Sequence, residues 1–338
     1  MSQAWIKNRK ALIVAPTFHA WDLGAYLAKE LVQRMAAVRC LATHSIPEQT
    51  LQRRLIDECA DFRPDLLFTF KLDQVRPATL KRIRDLETRV ILWSPDCFGP
   101  DAPEWLGQVS TQIDLLCLSA KGLLPAYRHV CQAPSYWLME GAHLPSYPNL
   151  SLNSAEKKPY ESDLAFIGNI FHLGARPEDF NTRSRLLQKA GRNFDLKIWG
   201  IQRSPDAAKK FGKYAKVIEW PAYNEEFVKV CQSVKIVLGI NLINSIELYF
   251  SNRTFLTLAS GGFHLTSYVP GLETMFENHK HLVWFRDENE CLELIDYYLK
   301  RPKKRQSVAD AGQRLVRQRY SLSRQVGRLL NLIQKHYG

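Results

Sequence analysis

The sequence has no apolar run of the ~18 residues that a membrane-crossing helix needs. Its apolar stretch nearest the start, residues 11–16, is too short for the core of a secretion signal. The expectation is a soluble, cytoplasmic protein. No CxxC pair occurs, and the seven cysteines stand far apart. That spacing argues against a disulfide frame and a cysteine zinc site, and suits a reducing compartment. GxGxxG and Walker A patterns are both missing, which weakens a dinucleotide or P-loop reading. DxD is missing too, so a carboxylate-held metal at a diphosphate is not indicated, and His279-x-His281 is too little for a metal site. No cofactor is expected.

What is present is a chain of 338 residues, 46% hydrophobic, with a net charge of +12. That length suits two medium domains. Residues 300–338 hold eleven Lys or Arg against one acid, Asp310, so nearly all of the net charge sits there. Such a segment suggests an anionic partner: a membrane surface, a phosphorylated glycan or a nucleic acid. A solvated helical face explains it equally well.

Short apolar runs alternate with amphipathic stretches of ten to fifteen residues. Strands are expected over 11–16, 38–43, 65–70, 90–94, 114–119 and 136–139. A second series covers 163–170, 195–199, 217–220, 236–240, a segment after Gly262, and 281–285. Helices are expected over 21–35, 48–62, 77–86, 122–130, 181–190, 224–234, 289–299, 308–320 and 322–336, with Asn224 capping its helix. Strands alternating with helices point to parallel βαβ units. The prolines, serines and asparagines of 143–160 read as a linker. The expected layout is α/β, with two Rossmann-like, doubly wound domains facing across a cleft. Residues 1–150 form one domain and 151–315 the other, with a basic helix over 316–338 packing back on the first.

In such sheets ligands bind beyond the carboxyl ends of the strands, and four loops there carry candidate chemistry. After the first strand come His19 and Asp22. After the fourth comes Asp96, placed as a general base would be; an Asx-type turn through Cys97 and Phe98 is the competing explanation. Gly168-Asn169-Ile170-Phe171 allows close backbone approach to a ligand, and Arg176, Arg183 and Arg185 follow it. The fourth loop gathers Asn241, Ser251, Asn252, Arg253, Gly261 and Gly262. Ser and Asn cap helix starts, and a helix start with an added arginine attracts phosphate. A plain capped helix in a βαβ unit accounts for the same residues.

Lys235–Asn241 as KIVLGIN, Ser251-Asn-Arg-Thr-Phe255, Leu258-Ala-Ser-Gly-Gly-Phe263 and Val269-Pro-Gly-Leu-Glu273 together resemble the C-terminal domain of CgeB-like glycosyltransferases. These are GT-B enzymes with a glycosyltransferase group 1 type domain. The resemblance covers roughly 160–330 and is architectural before that. It implies metal-independent, hexosyltransferase-like transfer of a sugar from a nucleotide diphosphate-sugar to an acceptor hydroxyl. The donor would lie on the C-terminal domain and the acceptor on the N-terminal one.

By the same resemblance Gly168 and Asn169 match the glycine turn, Asn252 and Arg253 the diphosphate-facing helix start, and Trp220 to Tyr223 the nucleobase site. Asp96, with His19 as the other candidate, would be the catalytic base; inverting and retaining courses both stay open. Leu256 stands where the family pattern has a ribose-binding glutamate, which moves that contact to Glu247 or Asn252. A non-catalytic binder of nucleic acid or anionic membrane, acting through the basic segment, is the alternative from another class. A nucleotide-sugar epimerase on the same fold is a third.

Overall fold

The computed structural model describes residues 4–96, 101–169, 177–200 and 211–338. Cys97, Phe98, Ile170, Phe171 and Arg176 lie outside the described residues. The chain divides into two units, Met1–Glu140 with Ser323–Gly338, and Gly141–Leu322.

The first unit is built on six parallel strands: β1 (Lys10–Ala15), β2 (Ala37–Ala42), β3 (Leu66–Thr69), β4 (Arg89–Ser94), β5 (Leu115–Leu118) and β6 (Ser135–Trp137). Their order is β2-β1-β3-β4-β5-β6. β3, β4 and β5 read LLFT, RVILWS and LLCL, nearly all apolar and nearly all buried. Side chains alternate between the two faces of a strand, so such runs are stable only where helices cover both faces. The register is regular, with Ile13 opposite both Cys40 and Phe68, and Leu92 opposite Leu116. β1 runs to β2 on one side while β3 to β6 extend on the other, which makes the gap between β1 and β3 the topological switch point.

This unit is completed from far along the chain. The helix Leu322–Tyr337 buries Val326, Leu329 and Ile333. Tyr337 Oη donates to the carbonyl of Asp114 at 2.6 Å, and Tyr136 Oη meets His336 Nε2 at 2.7 Å.

The second unit repeats the plan with β7 (Leu164–Ile167), β8 (Leu196–Trp199), β9 (Lys216–Ile218), β10 (Ile236–Gly239), β11 (His264–Ser267) and β12 (Val283–Phe285). All pairs are parallel and the order is β12-β11-β10-β7-β8-β9. Its switch point lies between β7 and β10. The Pro-rich stretch expected to be a linker belongs to this unit, which begins at Gly141. There the backbone of Ala142 exchanges hydrogen bonds with Tyr320 and Leu322, at 3.0 and 2.8 Å. Part of the stretch is ordered as the one-turn helix Ser154–Lys157, closed by a capping box between Asn153 and Glu156.

Two local expectations need correction. Asn224 sits at φ +52° and makes no capping hydrogen bond from its side chain; the carbonyl of Tyr223 accepts from the amides of Glu226 and Phe227 instead. The helix expected from residue 308 spans Pro302–Arg319, because Pro302 stands in its first turn, where a missing N–H costs nothing.

Part of the basic segment is spent on structure. Arg301 and Arg305 donate to the carbonyls of Tyr297, Tyr298 and Leu299 and so cap the helix Glu288–Leu299. Cations there also complement the negative end of the helix dipole. Arg317 donates to the carbonyls of Ala259 and Tyr147 at 3.0 and 2.6 Å. No helix among the described residues is long and apolar enough to cross a membrane.

Candidate functional site

The carboxyl ends of β7 and β10 converge on one arginine. Arg183, on the helix Pro177–Asn193, donates from Nη1 to the carbonyl of Asn169 at 2.8 Å and from Nη2 to that of Ile240 at 2.6 Å. It thereby ties the loop after β7 to the loop after β10 across the switch point. Its side chain is buried, its Nε has no hydrogen-bond partner among the described residues, and the guanidinium lies 5.6 Å from the Phe166 ring centre. Burial pushes its pKa down to about 10, helped by the neighbouring positive charge of Arg253. Stripping water from a charge is costly, and among the described residues this cation is bonded only to carbonyls.

Arg253 supplies the second charge. It opens the helix Arg253–Ala259, and its guanidinium lies against Gly168. A Cβ built on Gly168 would stand 3.2 Å from Arg253 Cζ, so a side chain at 168 would displace the arginine. Gly200, just past β8, backs this contact: a Cβ there would meet the Gly168 carbonyl carbon at 3.1 Å.

Asn241 and Ser251 complete the frame. Asn241, buried, receives a hydrogen bond on Oδ1 from the Ser251 amide at 3.2 Å and donates from Nδ2 to the Ser267 carbonyl at 3.2 Å. Ser251 Oγ accepts from the Arg253 amide at 3.3 Å and from Arg253 Nη1 at 3.2 Å. The Thr254 amide is taken by the Ser251 carbonyl at 3.0 Å. The helix start therefore offers fixed positive side chains rather than its first two amides. Asn252 does not cap it. Its Nδ2 donates to the carbonyl of Gly141 at 3.2 Å, and its Oδ1 is buried with no hydrogen-bond partner among the described residues.

Gly168, Asn169, Arg183, Asn241, Ser251 and Arg253 are thus brought together as one connected set, with Asn252 beside them. Gly261 and Gly262 are not part of it. Their amides close the opposite end of the helix on Leu258 and Thr257, and a Cβ on Gly262 would meet Cys231 Cβ and Thr257 at 3.1 Å. They let the helix pack closely at the amino ends of the strands, away from Arg253.

Trp220 and Tyr223 are exposed, at 45% and 44%, on the loop after the edge strand β9, with Trp220 Nε1 donating to Glu226 at 3.1 Å. β8 separates them from β7, so two strand spacings, about 10 Å, lie between. Glu247 stands beside Gly271, on the loop after β11; a Cβ there would lie 3.5 Å from Glu247 Oε1.

In the first unit, His19 and Asp96 are both exposed at the carboxyl edge, after β1 and β4. His19 stacks on Trp21, with ring centres 4.9 Å apart and planes 18° from parallel. Ser94 Oγ donates to the Asp96 carbonyl at 3.2 Å. β3 lies between their strands, which again separates them by about 10 Å.

Gly200 went unrecognised in the sequence, although a glycine directly after a strand was its signal. His264 carried no signal at all. It is buried beneath the Arg253 helix, with Nε2 3.2 Å from Thr254 Oγ1, and burial pushes its pKa down to about 4. Gly239 leaves room for it, since a Cβ there would lie 2.6 Å from His264 Cε1. Among the described residues no group of three or more His, Cys, Asp or Glu could hold a metal ion.

Residues 182–331 match a family model described as glycosyl transferase-like. The match covers most of the second unit, including Arg183, Asn241 and Arg253. HepE from Anabaena in complex with UDP-glucose superposes with a TM-score of 0.72 at 8% identity, covering 97% of this chain and all of that one. A glycosyltransferase from Rickettsia africae gives 0.70 at 9%, over 97% and 98% of the two chains. Sucrose-phosphate synthase from Thermosynechococcus elongatus gives 0.64 at 13%, over 97% and 100%. With two six-stranded parallel sheets and these structural neighbours, the chain has a GT-B fold. No curated protein matches the sequence.

Proposed function

We propose that this chain transfers a sugar from a nucleotide diphosphate-sugar, first among them a uridine diphosphate sugar, to an acceptor hydroxyl. The observation that carries this reading is the pair of guanidiniums on the switch point of the second sheet, Arg183 on the Asn169 and Ile240 carbonyls and Arg253 against Gly168. That HepE was solved with UDP-glucose supports the choice of uridine. The spacing of Ser251–Phe255 and Leu258–Phe263 supports a CgeB-like placement within the glycosyltransferases.

As the bond from the sugar to the diphosphate breaks, negative charge grows on the leaving oxygens. Arg253 meets that charge directly, while Arg183 adds a buried positive field and fixes both loops. Charge placed in advance where a transition state needs it commonly accounts for most of an enzyme's rate enhancement. In this reading the arginines do the work that a metal would otherwise do. Glu247 or Asn252 Oδ1 takes the ribose hydroxyls in place of the carboxylate absent at Leu256. Asp96 removes the acceptor proton, with His19 as the other candidate, and the acceptor lies on the first unit.

The test is thermal shift against UDP, GDP and TDP with their sugars, alongside assay of free-sugar release. UDP should raise the melting temperature, and a UDP-sugar should be slowly hydrolysed. Stabilisation by no nucleotide, together with salt-sensitive binding to DNA or anionic vesicles, would replace the enzyme with a binding protein. An isomerised sugar formed without acceptor would make it an epimerase.

A further inference from the structure

The helix Pro302–Arg319 carries more positive charge than the fold requires. Residues 300–319 hold eight Lys or Arg against one acid, Asp310, which accepts from Gln306 at 2.7 Å. Lys303, Lys304 and Arg305 stand in the first turn, which has no acidic residue. Positive charge there opposes the helix dipole, so helix stability does not account for the placement. Lys303 and Arg314 are exposed and make no hydrogen bond or ion pair among the described residues. Eleven residues apart, they lie three turns along one face.

That face looks out from the amino edge of the second sheet. Gly312 packs against the His281 carbonyl, just before β12. Gln313 and Arg317 reach the Ala259 carbonyl, before β11, at 3.1 and 3.0 Å. Arg305 interacts with the carboxylate of Asp163, which precedes β7. Val308, Ala309, Gly312 and Val316 are the buried side of the helix, so Lys303 and Arg314 face solvent. The proposed donor site lies at the other end of the same strands. Tyr297 holds two more cations beside the helix start: the Arg301 guanidinium lies 3.8 Å over its ring, and Lys304 donates to its Oη at 2.8 Å.

The chemistry of this face selects its partner. The exposed large hydrophobic side chains among the described residues are Trp21, Val32, Trp220 and Tyr223, and none of them is here. A protein interface draws most of its energy from buried aromatic and apolar anchors. A single-stranded nucleic acid stacks its bases on open aromatic rings, and the Tyr297 ring is covered by Arg301. What the face offers is spread-out positive charge along the convex side of a helix about 27 Å long. Anionic headgroups attract such charge without pockets or fixed partners. We infer that this helix docks the second unit on an anionic phospholipid surface, through Lys303, Lys304 and Arg314 together with Arg301. The docking does not rest on the glycosyltransferase reading.

The experiment is co-sedimentation of the full chain with vesicles of phosphatidylcholine alone, and of phosphatidylcholine with a quarter of phosphatidylglycerol. At about 0.1 M NaCl the chain should bind the mixed vesicles and not the neutral ones, and about 1 M NaCl should release it. Each Lys or Arg close to such a surface strengthens binding roughly fivefold. Lys303→Gln with Arg314→Gln should therefore bind roughly 25-fold more weakly. Arg54→Gln with Lys335→Gln removes the same charge from exposed positions of the first unit, and should bind as the wild type does. Both double variants should keep the wild-type melting temperature. Failure of the wild type to bind the mixed vesicles overturns the inference, as does an equal loss in the two double variants. Displacement from the vesicles by duplex DNA at equal phosphate concentration overturns it in favour of a nucleic acid.

Discussion

In the proposed donor site Arg253 is an exposed and Arg183 a buried guanidinium, so their loss should be felt differently. Arg253 is exposed, and surface substitutions usually shift stability by less than about 0.5 kcal/mol. Arg253→Ala should therefore leave the melting temperature nearly unchanged. Removing one preorganised charge-stabilising group typically costs roughly 10²–10³ in turnover, and donor hydrolysis should fall on that scale. Turnover equal to wild type would remove Arg253 from the diphosphate site.

His264 gives a pH signature at the same scale. Its pKa in the folded chain is about 4, against an ordinary value of 6.5. As pH falls below 6.5 the unfolded chain takes up the proton first, and folding loses stability until the native histidine also titrates. Between pH 7 and 4.5 that loss is roughly 2–3 kcal/mol. Urea unfolding at both pH values should show it in wild type and find it largely gone in His264→Asn. At this scale the sequence was partly legible. Gly168, Arg183 and Arg253 were visible as candidates at strand ends, and the structure brings them together. His264 was not, because a lone histidine inside an apolar run says nothing of what covers it. Gly261 and Gly262 looked like ligand glycines because sequence does not show which end of a helix faces the strand carboxyl ends.

At the level of elements, the periodicity of the chain was a good guide wherever hydrophobic burial alone decides. The run ALIVAP fell on β1 and the segment 48–62 on the helix Glu48–Phe62. It served less well where side chains choose between partners. Asn224 and Asn252 are both residue types that cap, yet one has a left-handed backbone and the other spends its amide on Gly141. The short helix Glu104–Val109 was missed because six residues hold too few turns to show a period.

Two helical glycines give a paired test of packing. In Pro302–Arg319, a Cβ on Gly312 would stand 2.1 Å from the His281 carbonyl oxygen and 2.8 Å from Leu258 Cδ2. In Leu322–Tyr337, a Cβ on Gly327 would meet nothing within 4 Å. Gly312→Ala should destabilise by roughly 1–3 kcal/mol through overpacking, and Gly327→Ala should stabilise by roughly 0.5–1 kcal/mol through helix propensity. Chemical denaturation of the two variants reads both signs.

For the whole molecule, the alternation of strands and helices was enough to anticipate two doubly wound sheets. The strand order was not readable, because it depends on which edge each crossover takes. Residues 323–338 are part of the first unit's core. A chain shortened to end at Leu322 should expose the surface that Val326, Leu329 and Ile333 cover. Calorimetry should then show the melting of the first unit lost or moved well below that of the second. A single unchanged transition would mean that the helix is an ornament.

The placement of that helix also sets the order in which the protein is made. During synthesis, residues 141–322 emerge after the first six strands and before the helix that completes their unit. At about 5–20 residues per second that interval is on the order of ten to forty seconds. The second unit thus becomes whole while the first still waits for residues 323–338, with apolar surface open to chaperones or to misassembly. A ribosome that stops early releases a finished second unit attached to an unfinished first one.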